Sequence, residues 1–294
     1  MRLWSDYVLA GTIEEALAAL ADASVTACPI AGGTDLLLEL GQGRHEPIHT
    51  LVDVTRIPEL RRLEIRGEEL FIGAAVPVRE IASSPLVVGN AAATAQACAL
   101  IGGPQVRNTA TLGGNVAHAL PAADGMISLV ALGAVAEIAS EGNVRRAPIL
   151  ELFAGPGRSS LRPGLDLLVG FYLPLRREGE SSAFARIMRP QGVALPILNA
   201  AVWISRKESS IRDIRVVVGP SGPVPVRAGR VEEYIRGGEF GDELFREIRE
   251  AIPDSFRFRS SPQRAGAAYR YDLCGVLLEE VVRAAWLEAG RDAA

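Results

Sequence analysis

The chain has little cysteine, little histidine and no excess of positive charge, and each shortage removes a class of function. Its three cysteines in 294 residues, Cys28, Cys98 and Cys274, lie far apart and form no CxxC pair. That usage is ordinary for a reducing compartment. It leaves the chain unable to hold an iron–sulfur cluster by itself, because such a cluster commonly takes four thiolates. The formal net charge is −4 and no Lys/Arg cluster is interleaved with aromatics, so nucleic acid is not an expected partner. Arg61-Arg62 and Arg176-Arg177 read as solvated faces. There is no internal repeat and no low-complexity segment.

Long apolar runs are also missing. The longest, around Met126 to Ala139, is interrupted and falls short of the roughly 20 residues a membrane span needs. Met1 to Gly11 contains Asp6 and lacks the apolar core of a signal peptide, which makes a cytoplasmic protein the expectation. Signature motifs are absent too: no G-x-G-x-x-G, no G-K-[ST] and no G-x-S-x-G occurs, which disfavours a Rossmann NAD site, a P-loop ATPase and a serine hydrolase. His45-Glu46-Pro47-Ile48-His49 matches H-E-x-x-H in letters only. That zinc motif needs a continuous helix to bring both imidazoles to one face, and Pro47 argues against one.

What is present is a globular composition, 48% hydrophobic and 22% charged, sufficient for a real core. Thr12 and Glu15 form a capping box for a helix to about Ala21. A strand at Val25 to Ile30, a helical turn through Leu36, Leu37 and Leu40, and a strand at Thr50 to Val54 give the opening a β-α-β character. Leu63 to Ala75 reads as a hairpin, Leu86 to Leu100 as a helix, and Val130 to Ile138 and Leu167 to Leu173 as strands. Pro174 and the charged Arg176 to Glu180 mark a domain break. Beyond it, strands are expected near Ala183 to Met188, Leu198 to Ile204 and Ile211 to Val218. Helices follow near Val226 to Arg236, Asp242 to Ala251 and Gln263 to Ala289, an α+β order.

The most informative local features are two glycine-rich turns, Ala31-Gly32-Gly33-Thr34-Asp35 and Thr111-Leu112-Gly113-Gly114-Asn115. A backbone approaching a diphosphate needs residues without a Cβ and free amide N–H groups, and a helix N-terminus adds favourable partial charge. Taken singly, each double glycine reads as a structural turn. Taken together, each beside a Thr and a carboxylate or amide, they support a ligand site as much as a structural role. Asp124 could cap the helix suggested by Met126 to Leu132 or accept hydrogen bonds from a ribose, and spacing alone favours the cap. Cys28 and Cys98 lie in apolar runs, as core residues do.

In this order and spacing the turns resemble the FAD-binding, or medium, subunit of the molybdenum hydroxylases, the xanthine dehydrogenase and carbon monoxide dehydrogenase family. The segment from Pro29 to Leu36 looks like that family's first pyrophosphate loop, and the segment from Ile101 to Asn115, with its Gln105-Val106-Arg107-Asn108 lead, looks like the second. Similarity continues through Pro121 to Asp124, Leu167-Leu168, Ser261-Pro262 and Ala268-Tyr269-Arg270, covering nearly the whole chain. The resemblance implies a two-part FAD-binding domain of the vanillyl-alcohol-oxidase (PCMH) type over residues 1–175, with subdomains of about 1–57 and 58–175. A smaller α+β domain of a three-stranded sheet and helices would occupy residues 176–294.

It further implies that Ala31, Gly32, Gly33, Thr34, Asp35 and Leu36 hold the diphosphate of FAD together with the segment from Thr111 to Asn115, including Gly113 and Gly114, and that Ile30 belongs to the cofactor-binding set. Asp124 would bind the ribose or adenosine side, Ile101 and Gly102 would lie near the flavin ring, and Leu168 would line its pocket. Family members often carry Lys close to where Ala185-Arg186 stands here, so Arg186 would be the cation at the pyrimidine edge, one that cannot lose its proton as Lys can. The implied partners are a large molybdopterin subunit and a small [2Fe-2S] subunit, in a three-subunit assembly that is duplicated. Two other readings would keep the fold: a self-sufficient flavin oxidoreductase, which lacks an evident acid or base here, and a flavin-free assembly protein, which would have lost a glycine turn.

Overall fold

The computed structural model describes residues 3–22, 24–189, 195–261 and 265–291. A small parallel sheet opens the chain: β1 (Asp6–Leu9), α1 (Ile13–Leu20), β2 (Ala27–Ile30), α2 (Leu36–Gly41) and β3 (Thr50–Asp53), with β3 between β1 and β2. Thr12 caps α1, its Oγ1 accepting from the Glu15 amide at 3.1 Å, as the capping box predicts. The hairpin of β4 (Leu63–Arg66) and β5 (Glu69–Gly73) then begins a five-stranded antiparallel sheet. A helical excursion follows through α3 (Val78–Ser83), α4 (Pro85–Asn90), α5 (Ala92–Leu100), α6 (Pro104–Arg107), α7 (Leu112–Ala117) and α8 (Asp124–Leu132). The sheet is completed by β6 (Val135–Ser140), β7 (Asn143–Pro148) and, after the short hairpin of β8 (Phe153–Gly155) and β9 (Arg158–Ser159), by β10 (Leu167–Pro174) at its centre.

The last part pairs β11 (Glu180–Ile187), β12 (Leu198–Lys207) and β13 (Ser210–Gly219) as an antiparallel meander, followed by α9 (Gly229–Ile235), α10 (Asp242–Ser255) and α11 (Ala267–Ala289). Side chains alternate across a strand, and here both faces are covered. Ala200, Val202 and Ile204 face a core with α10 and α11, whereas Phe184, Ala201 and Val217 join the core that also holds α5 and α8. The exposed edge of β11 is closed from outside, because Gln96 Oε1 accepts the Phe184 amide at 2.7 Å.

Three expectations fail on this structure. Val130 to Leu132 end α8 rather than begin a strand, since Gly133 adopts φ +67° as a left-handed cap and the strand starts at Val135. The stretch Leu86 to Leu100 is two helices, broken at Ala91 where ψ reaches 54°. Helix α9 begins only at Gly229, because Arg227 is drawn into a bridge with Val217. Gln263, expected in α11, lies outside the described residues.

All nine residues of α8 are buried, and the alternation of the three-stranded sheet decides what meets its ends. Cross-strand pairs place Arg186, Asn199 and Gly219 in one row and Ser182, Trp203 and Arg215 in another, on the face toward α8. At the N-terminus of α8 the Asp124 carboxylate takes a 2.5 Å hydrogen bond from Arg186 Nη1 and a 2.7 Å bond from Asn199 Nδ2. The cap expected of Asp124 is absent: Asp124 is the first helical residue, and Asn115 Oδ1 instead accepts the Met126 amide at 3.3 Å. Burial pushes the Asp124 carboxyl above the ordinary range, and Arg186 and Asn199 pull against that shift.

Two substitutions test this packing. Leu112 is fully buried at the start of α7, so Leu112→Ala should lose roughly 2–5 kcal/mol in urea unfolding, while Val144→Ala at a surface position should stay within about 0.5 kcal/mol of the parent. Arg186→Leu leaves a buried carboxylate with Asn199 as its remaining donor and should cost about 3–5 kcal/mol at neutral pH. A carboxyl whose pKa is higher folded than unfolded binds its proton more tightly in the folded state. The Arg186→Leu deficit should therefore shrink as pH falls through the carboxylate range. A deficit that is independent of pH would show that the uncompensated charge is not its source.

Candidate functional site

The two glycine turns, 80 residues apart in sequence, lie together because the first packs on the approach to the second. A Cβ on Gly32 would stand 2.1 Å from the Thr109 carbonyl oxygen, and one on Gly113 would stand 2.5 Å from the Ala74 carbonyl oxygen, so neither position admits a side chain without backbone movement. Gly33 turns the chain with φ +65° between β2 and α2. His118, at the end of α7, ties the turns from the side: its Nε2 lies 3.0 Å from Glu39 Oε1, with Nδ1 3.8 Å from Asp35 Oδ1.

The turns differ in what their amides do. In the second, the Gly113 N–H donates to Ala74 O at 3.0 Å, the Gly114 N–H to Thr111 Oγ1 at 3.1 Å, and the Asn115 N–H to Thr111 O at 3.0 Å. This turn is a capped helix start whose donors are spent. In the first, among the described residues, the N–H groups of Gly32, Gly33, Thr34 and Asp35 reach no protein acceptor. These free donors line a cavity of about 1070 Å³, at the upper end of the roughly 300–1000 Å³ usual for ligand pockets.

Most of the expected site residues meet on that cavity. Ile30, Ala31, Gly32, Gly33, Thr34, Asp35, Leu36, Ile101, Gly102, Thr111, Gly114, Asn115, Asp124 and Arg186 all line it. Gly113 does not, being buried against Ala74, and Leu168 does not, being packed in the main core with Ile138 and Phe171. Gly102 takes φ +56°, and its carbonyl is held by Arg107 Nη1 at 2.6 Å.

Residues that sequence reasoning passed over also reach the site. Asn199 is wholly buried and orients Asp124. Arg257, Arg259, Arg270 and His118 also line the cavity. The alternation of β12 could have flagged Asn199 as a polar residue in an otherwise buried row. Nothing local marks the arginines, which arrive through the fold of the last part of the chain.

The H-E-x-x-H letters do not fall on a helix. His45 and His49 sit in the irregular segment before β3, hydrogen-bonded to the Glu46 carbonyl and the Thr50 hydroxyl, and no group of three or more His, Cys, Asp or Glu side chains is placed to hold a metal among the described residues. Burial pushes the Cys274 thiol up to about 12, and Cys98 also upward, so both stay protonated. Also among the described residues, no helix is long and apolar enough to cross a membrane.

A Cβ-free cradle, four uncommitted amides and a cavity of this volume fit a dinucleotide carrying a diphosphate. Comparison with known proteins agrees. Residues 3–176 match the family described as the FAD binding domain in molybdopterin dehydrogenase, and residues 182–285 match the CO dehydrogenase flavoprotein C-terminal domain. The xanthine dehydrogenase FAD-binding subunit of Escherichia coli O157:H7 is 28% identical over 98% of each chain. The nicotine 6-hydroxylase medium subunit of Paenarthrobacter nicotinovorans is 31% identical over 89% of each. Among solved structures, the carbon monoxide dehydrogenase of Hydrogenophaga pseudoflava, in a form that lacks the Mo-pyranopterin moiety, is similar with a TM-score of 0.89 at 26% identity, covering 96% of this chain and 97% of that one. With both family models matched in order along the chain, this protein belongs to the FAD-binding medium-subunit family of the molybdopterin dehydrogenases.

Proposed function

We propose that the chain is the electron-transfer subunit of a cytoplasmic molybdenum hydroxylase, taking electrons from the [2Fe-2S] clusters of a small partner and passing them to NAD⁺ or another acceptor. A large molybdopterin subunit would hydroxylate the organic substrate, and the three subunit types would be present twice. Bound FAD supplies the interconversion of one-electron and two-electron chemistry; the protein supplies binding, orientation and electrostatics. The observation that carries the reading is the row of free amides from Gly32 to Asp35 on the cavity wall. The relatives' printed roles, as FAD-binding or medium subunits, support the same assignment. The matched ranges and the end of β10 at Pro174 support a domain division at about residue 175.

Within the site, the first turn and the Thr34 hydroxyl would take the diphosphate. The second turn would contribute chiefly the Asn115 amide, whose Nδ2 has no partner among the described residues. Asp124 has one oxygen bound by Arg186 and the other by Asn199, so each keeps a lone pair for a ribose hydroxyl. Arg186 Nε, buried and unsatisfied, is the cation available to a flavin edge, held in place by Asp124. Ile101 and Gly102 would border the ring; Leu168 would support that wall from the core behind it.

The test is the absorption spectrum and released cofactor of the purified chain. FAD in near-equal ratio is expected, and Gly32→Ala should weaken FAD binding by about tenfold or more, because the new Cβ must displace the turn from Thr109. A well-folded chain that carries no flavin and binds none on addition would overturn the reading and favour a flavin-free assembly role.

A further inference from the structure

A second cavity, of about 290 Å³, lies where the β10–β11 connection meets the outer row of the three-stranded sheet, at the far end of α8 from Asp124. Its walls include Leu132, Trp203, Glu180 and three arginines, Arg176, Arg177 and Arg215. Arg215 is half-buried, its guanidinium stacked 4.1 Å over the Trp203 ring and pressed against Gly133, where a Cβ would meet Nη1. Yet among the described residues it makes no ion pair or hydrogen bond, and its Nε is buried without an acceptor. Burial pulls its pKa below the arginine norm, with the nearby Arg227 adding to the shift and the more distant carboxylates of Asp213, Glu180 and Glu232 acting against it.

The other two arginines are disposed differently. Arg176 is committed: its Nε donates to Glu180 O at 2.7 Å and its Nη2 to Glu288 O at 2.9 Å. Arg177 is exposed, and its side chain makes no ion pair or hydrogen bond among the described residues. The one carboxylate on the wall, Glu180, accepts the Arg177 backbone amide and lies outside ion-pair distance of all three guanidiniums. Stacking on Trp203 and the C-terminal end of the α8 dipole both favour a cation here, but neither supplies an acceptor for the buried N–H.

We propose that this cavity is a binding site for a small oxyanion of the phosphate class, held by Arg215 from β13 and Arg177 from the β10–β11 connection. The anion would supply the missing acceptors through charge-assisted hydrogen bonds. Because its two ligands come from the meander and from the connection to the preceding sheet, it would clamp the two against each other. The site is separate from the glycine-turn cavity and shares no lining residue with it.

Inorganic phosphate is the probe, added to the FAD-loaded protein at constant ionic strength so that the diphosphate cradle is already filled. The expected result is a saturable change in tryptophan fluorescence with a half-point in the roughly millimolar range, together with a rise in thermal midpoint. Arg215→Met keeps an apolar stem over Trp203. It should be no less stable than the parent without phosphate, having lost a half-buried guanidinium whose Nε has no acceptor, and should lose both responses. Arg177→Gln, at a surface position, should weaken binding several-fold and keeps the test open if the first variant does not fold. Trp203→Phe should abolish the fluorescence change and retain the thermal shift. An equal response in the parent, Arg215→Met and Arg177→Gln, or no saturable response in the parent, overturns the proposal.

Discussion

The structure turns on one wholly buried helix. Helix α8 is a nine-residue segment with no exposed face, wedged between the helices of the first part and the three-stranded sheet of the last. A helix that buries both ends must satisfy its terminal groups with protein. Its N-terminus draws on Asn115 from the second glycine turn, and its first residue, Asp124, meets Arg186 and Asn199 from the sheet. A carboxylate there is favoured by the helix dipole but costly to bury alone, so the sheet must dock for the helix to be stable. One constraint thereby joins the two halves of the chain and places the wall of the large cavity.

The same constraint explains the division of labour between the glycine turns. The second turn starts a buried helix, so its amides are consumed in capping that helix and in holding Ala74. The first turn packs its glycine against the Thr109 backbone, and its amides, without protein partners among the described residues, belong to residues that line the cavity. Two motifs of similar composition thus perform different tasks: one shapes the site, and the other offers donors to an anion. Glycine is required at both for the same reason, close approach of another backbone.

Much of this was legible along the chain. The capping box at Thr12, the β-α-β opening, the hairpin after Leu63 and the three strands of the last sheet appear where spacing and periodicity put them, with boundaries shifted by a few residues. The glycine turns announced themselves by composition, and fourteen of the sixteen expected site residues share one cavity. The misreadings have a common origin. Val130 to Ile138 is apolar apart from Gly133 and Glu137, a pattern that a buried helix and a buried strand share, and the switch at Gly133 is decided by what packs around it. Asp124 stands where an N-cap would, but a cap lies one residue earlier and faces solvent or backbone, whereas this carboxylate is claimed by a cation 62 residues away.

The sequence by itself determined the local chemistry: which turns forbid a Cβ, which helices start and stop, that no cysteine set can hold a cluster, and the family to which the glycine turns belong. These are properties of short segments, written in residue size, charge and spacing. Only the tertiary structure decided which amides remain free among the described residues, that Arg186 and Asn199 converge on Asp124, and that Arg215 is left half-buried with no hydrogen bond or ion pair among the described residues. Those outcomes depend on which groups from distant strands reach the same space, and desolvation then sets their worth, which no local pattern encodes.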